Sequence, residues 1–590
     1  MTRARVAAAV LAVTALAVAL RLIGLRYGLP AVYNPDEVAI VSRALAFAKG
    51  DPNPHNFLYP TFYFYVLFAW IGAAAVWSTI TGAVASFAAF QREFFVDPTR
   101  VYVAGRLLTA LAGTATVIAT WVLGRRIGGT QAGLTAALFV AVAPLHVRDS
   151  HYVKHDVPVT LLIVLAYLAY TRLWNDLPPE GGSHESSKNS RSPQNSRSPQ
   201  NSWLPPSGGR SFIVAAVLTG VAFSTHYYTI FLAVPLGWAA ARSAHTTSEA
   251  LKRIAIAGVI SAAVFFLLSP FLLVEPATAW RDIRANRAIV VDRAVGNLGV
   301  AETAARYAGM LWHDTVGWPV VILAIAGLAL LARRQPSRAA FLLAFPIPFL
   351  LFIATTFPAT RYLVPLVPFL AIFAGIAVAA TAERSRMLAM IVTAAAAVVP
   401  LDASARADRF FRETDTRTLA ADFIKQHVPA DATILTQPYS VELTPTASSL
   451  QEAVRRSGRD MPTKTRLQIE RSPYPSPAYR VLYLGEGLDA DKIYVPYTQL
   501  GGDRGLRRLR AEHVALVVLK RYNGADPATM PFLTALAREG RRIAVFSPYG
   551  TEGGDSGAEP FLHNTGARID PSLARPGPVV EIWQLDDPRS

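Results

Sequence analysis

Long apolar runs separated by short polar connections fill the first 400 residues, and then the pattern stops. The runs cover residues 6–24, 101–124, 132–147, 157–173, 254–274, 320–332, 341–355, 362–380 and 387–399. Apolar stretches this dense predict membrane-spanning helices. Several fall short of the ~20 residues of an ideal span and must tilt or extend into their flanks. Basic residues mark alternate connections: Arg3 and Arg5, Arg125 and Arg126, Arg172, the group Arg242/Lys252/Arg253, the group Arg333/Arg334/Arg338, and Arg384/Arg386. Placing these on the cytoplasmic side leaves residues 25–99, 148–156, 225–227, 275–318 and 357–361 facing out. The expectation is a polytopic α-helical membrane protein of about eleven spans, with the N-terminus in the cytoplasm. Residues 61–90 are apolar and aromatic but lack convincing cytoplasmic markers. They read as an interfacial or re-entrant helix, with a two-span hairpin as the alternative.

Beyond residue 400 helix and strand signals alternate. Residues 416–426 have helical periodicity, 432–436, 513–519, 543–546 and 579–585 read as strands, and 532–538 as a helix between two of them. This predicts a catalytic membrane domain over 1–400 and a soluble, extracytoplasmic α/β domain over 401–590. Residues 174–210 carry the tandem unit NSRSPQ in a Ser-, Asn-, Pro- and Gly-rich stretch, which reads as a disordered cytoplasmic loop.

Composition sharpens this picture. The chain is 52% hydrophobic and 17% charged, with a net charge of +16. The segment after residue 400 is close to neutral, so the excess lies in the membrane half. That distribution argues against nucleic acid as a partner and suits loop arginines plus a few cations kept for an anionic ligand. With no cysteine, disulfides and thiolate metal sites are excluded. High Ala, Arg and Pro suit a bacterial plasma (inner) membrane protein.

Three polar constellations stand at the expected outer surface. In YNPDEVAI, the adjacent carboxylates Asp36 and Glu37 follow the first span. Asp36 suits a general base acting on a hydroxyl; the plainer reading is a helix N-terminus, where acids are ordinary. In VRDSHYVKHDVP, Arg148 and Lys154 suit a phosphate, Asp149 or Asp156 suits a sugar or a cation, and His151 and His155 with nearby carboxylates suit a metal. The plainer reading is a solvated loop of paired charges. In TTFPATRYLVP, Arg361 and Tyr362 stand at the outer mouth of a span. A guanidinium there suits a phosphate at headgroup depth, and simple snorkelling is the alternative. His226, in STHYYT, with Glu275 and the pair His313-Asp314, are weaker candidates.

These constellations, in this order, resemble the GT-C superfamily of membrane glycosyltransferases, specifically the protein O-mannosyltransferase and aminoarabinose transferase-like branch. Pro35–Glu37 resembles that branch's acidic motif, and LYPTFYFYVLF its proline-aromatic segment. AGRLLTALAGTATVIATWVLGRRIGG resembles the following span, RDSHYVKHDVP the second outer loop, and RYLVPLVPFLAIFAG the late arginine-tyrosine helix. The tail stretches DTRTLAADFIKQHVPADATI and GPVVEIWQL resemble outer domains of bacterial members. The paired prolines usual after a histidine are replaced by Tyr59-Pro60, with His55 displaced, and the acceptor-binding insert of eukaryotic members is absent.

The resemblance implies an inverting transferase that moves a sugar from a polyprenyl-phosphate donor to an extracytoplasmic protein, lipid or glycan acceptor. It implies Asp36 as base, Arg361 with Lys154 or Arg148 on the phosphate, and Glu37, Asp156 and His151 on the sugar, with His226 and Tyr362 lining the cavity. No cofactor is expected to be obligatory, and a divalent cation is compatible. A transporter or flippase of lipid-linked sugars is the competing expectation; a catalytically inert assembly protein is a third.

Overall fold

The computed structural model describes residues 2–175, 209–288, 299–521, 530–550 and 567–585. Most of the NSRSPQ segment, residues 176–208, lies outside the described residues. Among the described residues, eight helices are long and apolar enough to cross a membrane. They include α1 (Arg3–Leu22), α3 (Phe62–Ile80), α5 (Thr99–Ala141) and α7 (Asp156–Asn175). Shorter α2 (Pro35–Ala46), α4 (Phe87–Phe94) and α6 (Pro144–Asp149) fill the connections.

The 43 residues of α5 are two limbs joined at Gly129, whose φ of 84° departs from helical geometry. The limbs fold against each other at Gly124 and Gly133. A Cβ on Gly133 would lie 2.6 Å from the Trp121 carbonyl oxygen, so only glycine lets the backbones meet. Arg125 and Arg126 fall just before the reversal, as the two apolar runs flanking them predict. Among the described residues the count is eight such helices, or nine if the bent pair Val300–Thr315 and Trp318–Arg334 is one span, with Arg210–Phe223 as a shorter apolar helix, against the about eleven spans expected.

The helix α3, expected to be interfacial or re-entrant, is one of the eight helices long and apolar enough to cross a membrane, and it packs on the first turns of α5. The Trp70 indole donates to the Ala104 carbonyl at 2.8 Å, Gly105 abuts Leu67, and Arg100 donates to the Ala83 carbonyl at 3.3 Å. Its far end exposes Val76, Trp77 and Ile80, an apolar face suited to the lipid interface.

Two further devices lock the helices to one another. Arg21, fully buried near the end of α1, donates to the carbonyls of Val140 and Ala141 at 3.1 Å each and contacts His146 Nδ1 at 3.0 Å. It thereby satisfies carbonyls left open where α5 stops before Pro144. The late helix Val367–Arg384 packs between α5 and the helix Trp318–Arg334, with glycines at both seams. A Cβ on Gly375 would sit 2.3 Å from the Ala132 carbonyl oxygen, and one on Gly327 would overlap that of Phe373.

The division expected at residue 400 shifts. Pro400 lies inside the continuous helix Arg386–Phe410, facing Gly317, and the chain leaves it only at Phe411. Composition changes at Pro400, but the last two and a half turns still bury Ser404, Ala407 and Phe410.

The C-terminal domain carries a six-stranded sheet of order β3-β2-β1-β4-β6-β5. Its strands are β1 (Thr433–Thr436), β2 (Arg480–Leu484), β3 (Ile493–Val495), β4 (Val514–Arg521), β5 (Gly540–Phe546) and β6 (Val579–Leu585). The first four are parallel, β6 pairs antiparallel with β4, and β5 pairs antiparallel with β6. The strands β2 and β3 are absent from the sequence expectation. Pro473 and Pro477 precede β2, a three-residue β3 shows no measurable alternation, and the Gly485–Gly487 turn hides the boundary between them.

Substituting Gly327 by Ala forces the two late helices apart and costs about 1–3 kcal/mol. The expected outcome is a lower melting temperature of the detergent-purified protein, with Gly258→Ala, where a Cβ meets nothing, as the unaffected control.

Candidate functional site

The helix α2 starts on a well-formed cap. The Asn34 side chain accepts from the Asp36 backbone N–H at 3.1 Å, Pro35 takes the first helical position, and Asp36 and Glu37 occupy the first turn. The capping reading of this segment is therefore correct, but Asn34 is the cap. Asp36 and Glu37, being consecutive, project about 100° apart around the helix.

Glu37 turns inward. It is fully buried and takes Arg106 in a two-pronged pair at 2.9 and 2.7 Å. It also accepts the Val153 backbone N–H at 2.9 Å, while Arg106 donates to the carbonyls of Leu25 and Tyr27 at 2.8 and 2.7 Å. This one ion pair binds α2, the chain leaving α1, α5 and the 150–155 connection. The expectation that Glu37 holds a sugar is corrected: its oxygens serve the protein's own interior.

Asp36 turns the other way and keeps a partly exposed side chain. Its carboxylate lies 3.0 Å from Lys154 Nζ and is also bonded to the Arg361 guanidinium. The lysine contact is an ion pair and lacks the geometry of a directed hydrogen bond. Lys154 is 2% exposed, against 31% for Asp36 and 21% for Arg361, so the carboxylate and guanidinium are the reachable members. Three stretches of chain separated by over a hundred residues thus meet at one point.

Asp156 opens α7 close enough to Arg361, Lys154 and Asp36 to feel their charges. Among the described residues its carboxylate receives no hydrogen bond. The Tyr362 ring lies 5.4 Å from the Arg361 guanidinium. His226 caps the short helix Tyr227–Leu232 and stacks against Tyr228 at 3.9 Å and edge-on to Tyr59 at 5.2 Å. His155 stacks on Tyr59 at 4.4 Å and meets Tyr63, Phe64 and His226 edge-on or tilted. Burial pushes the His155 imidazole down to about 3, so it stays neutral.

Two other expected site residues lie behind this site. Arg148 is buried, paired with Asp149 at 2.9 Å and bonded to Thr360 Oγ1 at 3.1 Å. It fixes the turn that presents Arg361 and does not face a substrate phosphate. His151 is buried with its ring nitrogens 2.9 and 2.7 Å from the carbonyls of Val147 and Ile23. It ties the end of α1 to the 150–155 connection and is likewise corrected from sugar contact to scaffold. Glu275 lies elsewhere, on His55 and Asn53 at 2.7 and 2.6 Å, and Asp314 accepts the Arg568 backbone N–H at 3.1 Å. No group of three or more His, Asp or Glu able to hold a metal occurs among the described residues.

Two residues beside the site, Arg43 and Tyr59, escaped assignment from sequence. Arg43 is seven residues after Asp36, hence on the same face of α2, and lies near Tyr59, His155 and Asp282. Tyr59 lies near Arg361, Tyr362, Asp156 and Asp36. The seven-residue spacing was a readable signal for Arg43. The stacking of Tyr59 on His155 joins segments about a hundred residues apart and leaves no local signature.

Residues 99–178 match the family model for dolichyl-phosphate-mannose-protein mannosyltransferases, a match that covers α5, α6 and α7 with Lys154 and Asp156. No match is found among curated proteins. Among solved structures, the apo oligosaccharyltransferase of Archaeoglobus fulgidus superposes with a TM-score of 0.50 at 12% identity, over 88% of this chain and 70% of that one. ArnT from Cupriavidus metallidurans bound to undecaprenyl phosphate gives 0.42 at 15% identity, over 97% of each chain. Arabinofuranosyltransferase AftD from Mycobacteria gives 0.34 at 15% identity, over all of this chain and 42% of that one. The fold is similar to that of the Archaeoglobus fulgidus oligosaccharyltransferase, and the match over residues 99–178 agrees with the resemblance drawn from the motifs.

Breaking the Glu37–Arg106 pair leaves one buried charge uncompensated, at a cost of about 3–5 kcal/mol. Arg106→Ala is expected to lose most folded protein, read as monodisperse yield in detergent, before any activity is measured.

Proposed function

We propose that the protein is an inverting glycosyltransferase that moves a sugar from a polyprenyl-phosphate donor to an acceptor hydroxyl on the extracytoplasmic side of a bacterial plasma membrane. The observation that carries this reading is the convergence of Asp36, Lys154 and Arg361 at one partly exposed site. A carboxylate beside two cations, reached from outside, provides a base and a place for a leaving phosphate. The family model over α5–α7, named for a dolichyl-phosphate sugar donor, supports the donor class.

In the proposed reaction the acceptor oxygen attacks the anomeric carbon and gives its proton to Asp36. The bond from that carbon to the phosphate oxygen breaks, and its electron pair leaves with the polyprenyl phosphate. Arg361 and Lys154 neutralise the charge growing on that oxygen. The transition state is oxocarbenium-like, and one displacement with one base inverts the anomeric centre. Asp156 is the acceptor for sugar hydroxyls, and Tyr59, Tyr362 and His226 shape the aromatic wall. Protein, lipid and glycan hydroxyls all fit the acceptor's chemistry.

Asp36→Asn keeps the shape but removes the base. It is expected to lower transfer from a labelled polyprenyl-phosphate sugar by about 10²–10⁴-fold, with the melting curve showing folded protein. Wild-type activity in that variant would remove Asp36 from the mechanism. Release of free polyprenyl phosphate by the wild type separates transfer from transport, since a flippase leaves its cargo intact. We further propose that no divalent cation is obligatory: the rate is expected to persist in excess chelator, and its loss would assign a metal to the site.

A further inference from the structure

The helix Pro276–Arg287 plays no part in the proposed reaction, yet its two sides are sharply different. Asp282 and Asn286 face the protein. Asp282 accepts the Phe57 backbone N–H at 2.9 Å, and Asn286 donates to the Leu58 carbonyl at 2.7 Å. Ala279, on the same side, packs with Phe57, Phe265 and Leu272. These contacts tie the helix to the connection between α2 and α3, at the end of the membrane helices where Asp36 stands. The other side carries Trp280, Arg281, Arg284 and Arg287, which at helical spacing fall within an arc of about 120°. All four are exposed, Trp280 by 58% and Arg281 by 69%.

The charge on this face is not balanced locally. Arg281 pairs with Asp282 at 3.0 Å. The Arg284 guanidinium lies 4.7 Å over the Trp280 ring. Neither Arg284 nor Arg287 makes an ion pair or hydrogen bond among the described residues. The acid just before the helix, Glu275, is held by His55 and Asn53 at 2.7 and 2.6 Å. Three arginines against the single Asp282 leave two positive charges over.

What stands next to this face is apolar. Leu267, at the end of the span Thr247–Leu268, is exposed, as are Leu273 and Val274 in the turn that follows. Exposed apolar side chains at the end of a span face acyl chains, and the helix starts two residues after Val274. That puts it at headgroup depth, where tryptophan is favoured. An arginine stacked on an indole uses the face of its guanidinium and keeps its N–H edge for a phosphate. Arginines spread over about 9 Å of open helix suit a layer of phosphates better than one enclosed anion. A zwitterionic choline headgroup brings its own cation against them; an anionic headgroup does not.

We propose that the helix Pro276–Arg287 is a docking surface for anionic phospholipid headgroups. Arg284 and Arg287 hold lipid phosphates, and Trp280 seats the helix in the interface. The partner is the bulk anionic lipid of the bilayer, of the phosphatidylglycerol type, which exchanges freely with an open surface. The observations behind this surface are separate from those behind the glycosyl-transfer reading.

The test uses the full-length protein in vesicles of phosphatidylcholine and phosphatidylglycerol, with brominated acyl chains on one lipid at a time. Fluorescence quenching that is lost in Trp280→Phe reports lipid at this helix. Brominated phosphatidylglycerol is expected to quench at a lower mole fraction than brominated phosphatidylcholine. An arginine near an anionic surface is worth about five-fold in affinity. Arg284→Ala combined with Arg287→Ala is therefore expected to lower the preference for phosphatidylglycerol by about 5–30-fold. Lysine at both positions keeps the charge and is expected to retain most of the preference. Both side chains are exposed, and an unchanged melting curve shows that the variants fold. Equal quenching by the two lipids in the wild type would overturn the anionic assignment. Absence of Trp280-dependent quenching by either would overturn the placement at headgroup depth. A wild-type preference in the folded double alanine variant would overturn the role of the two arginines. A polyprenyl monophosphate that displaces the brominated phosphatidylglycerol better than unlabelled phosphatidylglycerol does, mole for mole, would overturn the choice of partner.

Discussion

The buried Glu37–Arg106 pair is the constraint on which the site depends. A carboxylate and a guanidinium removed from water repay their desolvation only with near-complete hydrogen bonding, and here it is supplied. Arg106 takes both Glu37 oxygens and two backbone carbonyls, and Glu37 adds the Val153 N–H. The partners come from four segments, so satisfying the pair fixes their relative positions. Asp36 then points at Lys154 because its neighbour in sequence is clamped to the residue before that lysine. The interior acid sets the direction of the exterior one.

A second constraint is charge compensation at Asp36. Two cations on one carboxylate leave the triad with a net positive charge, and Arg43 adds to it while Asp156 opposes it. A site of mixed sign suits a ligand with an anionic end and a hydroxyl-rich end better than either alone. Aromatic rings complete the lining. Tyr59, Tyr63 and Phe64 pack around His155, excluding water from one side and strengthening every charge interaction inside. Arg148 and Thr360 brace the turn before Arg361 from behind, so the guanidinium is delivered by a scaffold with its own buried pair.

Architecture was legible in the sequence because it depends on period and run length. The apolar runs on either side of Arg125-Arg126 became the two limbs of α5, and the alternation in 513–519 and 579–585 became two strands paired side by side. Direction was not legible. Asp36 and Glu37 are equivalent in sequence, and only Arg106, an arginine embedded in an apolar run, separates their fates. A charge in such a run signals a buried partner, but not which one. Arg148, His151 and Lys154 form one basic cluster in sequence, yet α6 ends at Asp149 and the non-helical connection that follows sends them to three places. One braces a turn, one caps the end of α1, and one enters the site.

The C-terminal domain is tied to the same short segment that carries the proposed base. The Tyr33 hydroxyl bonds to Thr418 Oγ1 at 2.7 Å, the Arg417 guanidinium lies 3.7 Å over the Tyr33 ring, and Tyr27 donates to Asp415 at 3.3 Å. Asp415 in turn grips Arg417 at 2.8 and 2.6 Å. These contacts are made by the chain just upstream of Asp36, on the stretch whose Leu25 and Tyr27 carbonyls are held by Arg106. A displacement of the C-terminal domain would therefore pull on residues 25–33 and be resisted by the interior pair. The segment joins the membrane core, the acid and the C-terminal domain in one mechanical unit. That arrangement accounts for a long loop being ordered where a simple connection between spans would need only a few residues.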